Sequence, residues 1–299
     1  MIPIIQTLNL TKEYGTYKAV DNLSLTINQG DIYGLIGKNG AGKTTFMKII
    51  SNLARPSSGD YKIFGYDRTN AQAQTRISAL IENTGTYPSM TAYDHLLLKG
   101  KSCGIRGDKY VFDLLELLGL SNTGKKKVKD FSLGMRQRLG IAIALVGEPD
   151  ILVLDEPING LDPQGIIDIR TIIERLNKEK NMTFLISSHI LDELARVATN
   201  FAIIDRGKLV ANFTKEELDE QNKERIELMT DDPRKTCLVF EENGIDTYKL
   251  IDKNTFYIYK NQDRINELLT ILNDSKIKIL DMTVKRESLE EYYMNLLDK

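Results

Sequence analysis

Residues 37–45 read Gly37-Lys38-Asn39-Gly40-Ala41-Gly42-Lys43-Thr44-Thr45. The apolar run Ile32–Ile36 precedes them, and a helix-like segment, Lys43–Leu53, follows. A strand passing through a glycine-rich loop into a helix is the context in which this pattern holds phosphate. Glycines permit backbone angles that turn successive N–H groups inward into an anion cradle. The helix N-terminus adds partial positive charge. Lys43 then has the reach for β- and γ-phosphates, and the Thr44 hydroxyl suits Mg2+.

Outward from this loop, strand-like and helix-like segments alternate over the first 215 residues. Leu23–Ile27 and Ile32–Ile36 read as strands, and so do Ile77–Ile81, Ile151–Leu154, Phe184–Ser187 and Phe201–Ile204. The last four are short apolar runs expected to be buried parallel strands. Helices are expected at Ser132–Val146, at Pro163–Lys180 behind an Asp162 cap, and at Ile190–Ala198. The alternation predicts an α/β sheet. Residues 89–147 read as a mostly helical insert, in which His95 and the exposed run Lys125–Lys127 have structural or solvation roles. From residue 216 a second domain, 216–299, is expected. A connector helix at Thr214–Asn222 is followed by a βαββαβ order from Arg225 and a last helix at Leu289–Leu297.

Two further patterns fall where chemistry is expected. Ile151–Leu154 runs into Asp155 and Glu156 at the carboxyl edge of the sheet, where open α/β folds bind ligands. There Asp155 can hold a cation through water and Glu156 can act as general base. His189 follows strand Phe184–Ser187 at the same edge, positioned to reach a γ-phosphate. Ser132, opening Ser132-Leu133-Gly134-Met135-Arg136-Gln137, can cap a helix whose N-terminus suits an anion.

Composition excludes other classes. Of 299 residues, 40 are Lys or Arg and 42 are Asp or Glu, a net charge of -2. Bulk basicity for coating nucleic acid is absent, and so is the charge excess of a disordered chain. No run approaches the roughly 18–20 apolar residues that span a bilayer. The start, Met1-Ile2-Pro3-Ile4-Ile5, lacks the basic region of a signal peptide. Cys103 and Cys237 show no metal-ligand spacing and read as structural.

With these residues assembled, the chain resembles the ATP-binding subunits of ATP-binding cassette (ABC) transporters over residues 1–215. Gly37–Thr44 resembles the Walker A loop, Leu154-Asp155-Glu156 the end of Walker B, and Ser132–Gln137 the family signature. Gly160-Leu161-Asp162 is similar to the D-loop and His189 to the switch histidine. Tyr14 falls where the family stacks an aromatic ring on adenine. Glu82 stands where the family usually has Gln beside Mg2+ and the attacking water. That Glu and the signature resemble the ATPases of lantibiotic-immunity and bacitracin-resistance exporters.

The resemblance implies an α/β P-loop NTPase fold with an antiparallel β edge and a helical subdomain. It implies ATP and Mg2+ as ligands, with Thr44, Asp155 and Glu82 near the metal. It also implies a head-to-tail dimer with a second copy and membrane-spanning permease subunits, without nucleic acid, at the cytoplasmic face of the membrane. Permease coupling helices are expected around Tyr87–Tyr93. The alternatives are an importer ATPase, whose C-terminal domain would be regulatory, and a soluble ABC ATPase. The 112 residues from Lys43 to Asp155 leave no room for the long coiled coils of DNA-repair members. A non-hydrolysing scaffold fits poorly with Lys43, Asp155, Glu156 and His189 together.

Overall fold

The computed structural model describes residues 2–82, 84–221, 225–259, 265–285 and 289–297. Met1, Asn83, Asn222 and the first residues of a helix expected at Gln262–Asn273 lie outside them. The chain divides into two compact units, Met1–Lys215 and Glu216–Lys299.

The first unit opens with β1 (Pro3–Tyr14), β2 (Tyr17–Leu23), β3 (Thr26–Asn28) and β4 (Ile32–Ile36), then α1 (Lys43–Ile50). Next come β5 (Ser58–Ile63), β6 (Tyr66–Asp67), α2 (Ala71–Thr75) and β7 (Ile77–Leu80). The helical insert holds α3 (Ala92–Ser102), α4 (Lys109–Leu117) and α5 (Leu133–Leu145). The chain returns through β8 (Ile151–Asp155), α6 (Pro163–Lys180), β9 (Thr183–Ser188), α7 (Leu191–Val197), β10 (Asn200–Asp205) and β11 (Lys208–Thr214).

Two sheets result. One is antiparallel, in the order β2-β1-β5-β6 with β3 also on β1; the other runs β11-β10-β4-β9-β8-β7. In the second, β10, β4, β9, β8 and β7 are parallel and only β11 is antiparallel. Strand β4 is buried at every residue, as a central strand covered on both faces must be. Between the sheets, α1 packs Phe46, Met47, Ile49 and Ile50, all 0% exposed, against Leu35, Val153 and Leu185. Each such side chain contributes about 1.5–3 kcal/mol. This core fixes the start of α1, and with it the phosphate loop, against the sheet.

Three expectations are corrected. Leu23–Ile27 is not one strand: Thr7 Oγ1 donates to Leu23 O and accepts from Leu25 N, pinning a break between β2 and β3. Ile77–Leu80 is only half-buried because β7 is an edge strand. The helix begun at Lys43 stops at Ile50, where the Ser51 amide bonds Met47 O and Asn52 turns left-handed (φ 58°). The long strand β1 was not expected from local pattern, because β-bulges interrupt its alternation.

The second unit begins with α8 (Lys215–Gln221) at the boundary. It continues with β12 (Arg225–Thr230), α9 (Pro233–Glu242), β13 (Tyr248–Leu250), β14 (Thr255–Tyr259), α10 (Ile265–Asp274), β15 (Ile279–Lys285) and α11 (Leu289–Leu297). Its antiparallel sheet has the order β13-β14-β12-β15. Val239, Phe240, Leu268 and Leu272 from α9 and α10 form a core with Ile226, Leu228, Phe256 and Ile258. That alternation on β12 is why one sheet face carries the two helices. From α11, Leu289 and Tyr293 are buried, and Glu291 holds Arg225 at 3.0 Å.

Candidate phosphate-loop site

The parallel strands bring four loops to one edge. The loops after β4, β7, β8 and β9 carry Gly37–Thr45, Glu82, Glu156 and His189 respectively. They meet at the carboxyl edge of the sheet, where ligands bind in open α/β folds.

Within the phosphate loop, Gly42 has φ 110° and a Cβ there would stand 2.2 Å from Ala19 O. Gly40 has φ 81°, but a Cβ there would meet nothing. The loop is thus packed on its protein side and open on the other. No side chain caps α1 and its first turn holds no acidic residue. Its N-terminal amides therefore face the cavity as anion donors.

Lys43 is 6% exposed, and its Nζ donates to Gly37 O at 2.6 Å and to Lys38 O at 3.3 Å. Burial holds its pKa below the usual lysine range, against the opposing pull of the Glu156 and Asp155 carboxylates. Thr44 Oγ1 donates to Asp155 Oδ2 at 2.8 Å. Ser187 Oγ donates to Asp155 Oδ1 at 2.6 Å and accepts from the Glu156 amide at 2.9 Å. His189 Nδ1 lies 2.6 Å from Glu156 Oε2. One chain of contacts therefore links Thr44, Asp155, Ser187, Glu156 and His189.

The loop borders a cavity of about 350 Å³ that also touches Tyr17, Lys48, Glu82 and Glu156. Cavities of about 670 and 780 Å³ lie beside Leu114 and Phe112 in the helical insert and contain none of the motif residues. Chemistry, not size, selects the smaller one. Among the described residues no cluster of three or more His, Cys, Asp or Glu could cage a metal alone. Thr44 and Asp155 form a partial set of hard oxygen donors, which fits a Mg2+ ion that shares its shell with substrate phosphates.

Not every expected residue is gathered here. Tyr14 is 53% exposed, with Lys12 Nζ 5.0 Å above its ring, outside the residues lining the cavity. The signature segment sits apart from the loop: Ser132 caps α5 by accepting from the Met135 amide at 3.2 Å. Leu133 is exposed, and Gly134, Met135 and Gln137 are half-buried. Asp162 caps α6 by accepting from the Gly165 amide at 3.0 Å. His95 is buried, accepting from the Tyr87 amide at Nε2 with Nδ1 2.7 Å from Thr91 O, as a structural residue would.

Sequence reasoning missed Tyr17 and Lys48. Tyr17 Oη donates to Gly40 O at 2.9 Å, and Tyr17 pairs across the tight β1–β2 hairpin with Tyr14. The hairpin residues Tyr14-Gly15-Thr16-Tyr17 were the available signal. Lys48 Nζ lies 2.5 Å from Glu82 Oε1. Its signal was a second cation, five residues past Lys43, on the buried helix that follows the loop.

This fold and this loop define a nucleotide-binding P-loop protein. Residues 20–159 match the family described as ABC transporter. The chain is 39% identical over 300 residues to the bacitracin transport ATP-binding protein BcrA of Bacillus licheniformis, covering 99% of this chain and 98% of that one. It is 41% identical over 207 residues to the lantibiotic transport ATP-binding protein SrtF of Streptococcus pyogenes, covering 69% and 89%. Among solved structures, an ATP-binding cassette of an ABC transporter in its ADP conformation is 28% identical, with TM-score 0.66, covering 74% of this chain and 94% of that one. The chain belongs to the ATP-binding proteins of ABC transporters and is an ATPase of that family. The likenesses favour an exporter ATPase over an importer subunit or a soluble, non-transport ATPase. No described helix is long and apolar enough to cross a membrane.

Proposed function

We propose that this chain hydrolyses ATP to drive export of a peptide antibiotic, a lantibiotic or a similar drug through separate permease subunits. Its station is the cytoplasmic face of the membrane. The observation that carries the ATPase assignment of individual residues is the contact chain from Thr44 through Asp155 and Ser187 to Glu156 and His189. The export direction and the cargo class rest on the likeness to BcrA along nearly the whole chain.

In this reading the loop amides and Lys43 hold the β- and γ-phosphates, with residues 37–45 as the cradle and Tyr14 beneath the adenine. Thr44 and Asp155, with Glu82 nearby, hold Mg2+, which when bound neutralises charge on the phosphate oxygens. Glu156 takes a proton from the attacking water. The water oxygen bonds to the γ-phosphorus as the bond to the ADP oxygen breaks. His189, beside the Glu156 carboxylate, is placed to donate toward the γ-phosphate. In a head-to-tail dimer, Ser132, Leu133, Gly134, Met135 and Gln137 of a second copy cover that phosphate, with Asp162 near the seam. The phosphates then hold the two copies together, and their loss loosens the dimer. The helical subdomain, residues 89–147, transmits the change to permease coupling helices around Tyr87–Tyr93. Residues 1–215 are the ATP-binding domain and residues 216–299 an accessory α+β domain.

The test is co-expression with the permease in a sensitive host. Raised tolerance to bacitracin or a lantibiotic, lost on Lys43→Ala, supports the reading. ATP hydrolysis with no change in tolerance to either would refute the cargo class and leave the ATPase standing.

A further inference from the structure

The loop after β7 presents Glu82 to a cavity that already holds the Glu156 carboxylate and must receive a polyphosphate. Asp155 lies close behind, bonded to Thr44. An added carboxylate in such a place raises the local negative potential and needs a counter-charge. The structure supplies one. Lys48 lies on α1, the helix whose first turn forms the phosphate cradle, and its Nζ stands 2.5 Å from Glu82 Oε1. Both side chains line the same cavity. Their exposures differ, 30% for Lys48 and 60% for Glu82. The cation is the anchored partner and the carboxylate the movable one. Glu82 also adopts a left-handed backbone (φ 63°), which a non-glycine residue holds only under constraint from its surroundings.

We propose that Lys48 is a positioning residue that competes with the bound cation for the Glu82 carboxylate, so that Glu82 exchanges between a helix-anchored place and a metal-facing place. This deepens the ATPase reading above and rests on it. With the cation absent, the pair ties the phosphate helix to the segment entering the helical insert. With the cation bound, its charge draws Glu82 away from Lys48. A carboxylate can make that exchange, whereas an uncharged amide has no ion pair to give up.

The experiment reads binding rather than turnover. A fluorescent, non-hydrolysable ATP analogue is titrated at a series of Mg2+ concentrations into the full chain and into Lys48→Gln, Glu82→Gln and the double variant. If Lys48 merely repelled the cation from a fixed position, its removal would tighten Mg2+ equally whether residue 82 is Glu or Gln. Competition predicts otherwise. Lys48→Gln lowers the half-saturating Mg2+ about threefold more with Glu82 present than with Gln there, the size expected for a partly exposed ion pair. Lys48→Arg, which keeps the charge, behaves as the unmodified chain does. An additive double-mutant cycle would overturn the Lys48 assignment while leaving the nucleotide site intact. Failure of the unmodified chain to bind the analogue at any Mg2+ concentration would overturn both.

Discussion

His189 Nδ1 lies 2.6 Å from Glu156 Oε2, and the Glu156 amide is held by Ser187 Oγ, which in turn bonds Asp155. Glu156 is therefore held at its backbone amide and at one carboxylate oxygen, on a backbone that is left-handed (φ 51°). A group held this firmly at the sheet edge suits proton abstraction from a water placed against a phosphate. Glu156→Gln keeps shape and hydrogen bonding but removes the base. Turnover should fall about 10²–10⁴-fold while nucleotide binding persists. Phosphate release and gel filtration with Mg-ATP check this, with accumulation of an ATP-bound dimer expected. Wild-type-like turnover would falsify the general-base assignment.

His189 lies beside Glu156 and donates toward the γ-phosphate rather than taking the water's proton, so removing it should be milder. His189→Ala should lower kcat and leave KM for ATP nearly unchanged, with a smaller loss than Glu156→Gln. Steady-state kinetics separate the two parameters. A rise in KM at constant kcat would place His189 in ground-state binding instead.

Gly40 and Gly42 share positive φ but not surroundings. A side chain at either is strained by about 1–2 kcal/mol from the left-handed backbone alone. At Gly42 the new Cβ also meets a backbone carbonyl at 2.2 Å, so the loop itself must shift. Gly42→Ala should therefore lower the melting temperature more than Gly40→Ala. Thermal unfolding of the nucleotide-free variants measures this, and equal losses would mean that the contact with Ala19 is easily relieved.

The second unit has its own core, centred on Phe240 with edge-on contacts to Tyr248 at 5.0 Å and Phe256 at 5.5 Å. Phe240→Ala should cost about 3–5 kcal/mol, a large share of what an 84-residue unit can supply. Calorimetry should show an early transition from residues 216–299, with nucleotide binding by the first unit retained. A single shifted transition would show that the units unfold together.

What could be read from the sequence was what neighbouring residues determine. Helix Pro163–Lys180 was legible end to end because Asp162 caps it, Pro163 suits its first turn and left-handed Asn181 ends it. The phosphate loop was legible because its glycines, Lys43 and Thr44 are contiguous. Strand β1 was not, because bulges near Leu8 and Leu10 break its alternation and its partners β2 and β5 are set by tertiary pairing. Tyr17 and Lys48 were missed for the same reason. Tyr17 reaches Gly40 only through the hairpin, and Lys48 meets Glu82 across 34 residues of chain.

Lys43 supplies the last prediction, with a sign that follows from its burial. Desolvation places its pKa below that of an unfolded-chain lysine. Between those two values the unfolded chain holds the proton and the folded one does not. This group therefore makes the nucleotide-free protein more stable as pH rises through the folded pKa toward the unfolded value. Bound phosphates act oppositely: their charge favours the ammonium, so binding takes up a proton there. Nucleotide affinity should fall as pH rises through the folded pKa, at a lower pH than an ordinary lysine would give. Lys43→Met should lose that pH dependence together with the stabilisation that nucleotide confers, about 2.7 kcal/mol at a hundredfold excess over Kd. Thermal shift with and without nucleotide across an alkaline series tests both effects. An unaltered nucleotide-induced shift in Lys43→Met would remove Lys43 from the phosphate site.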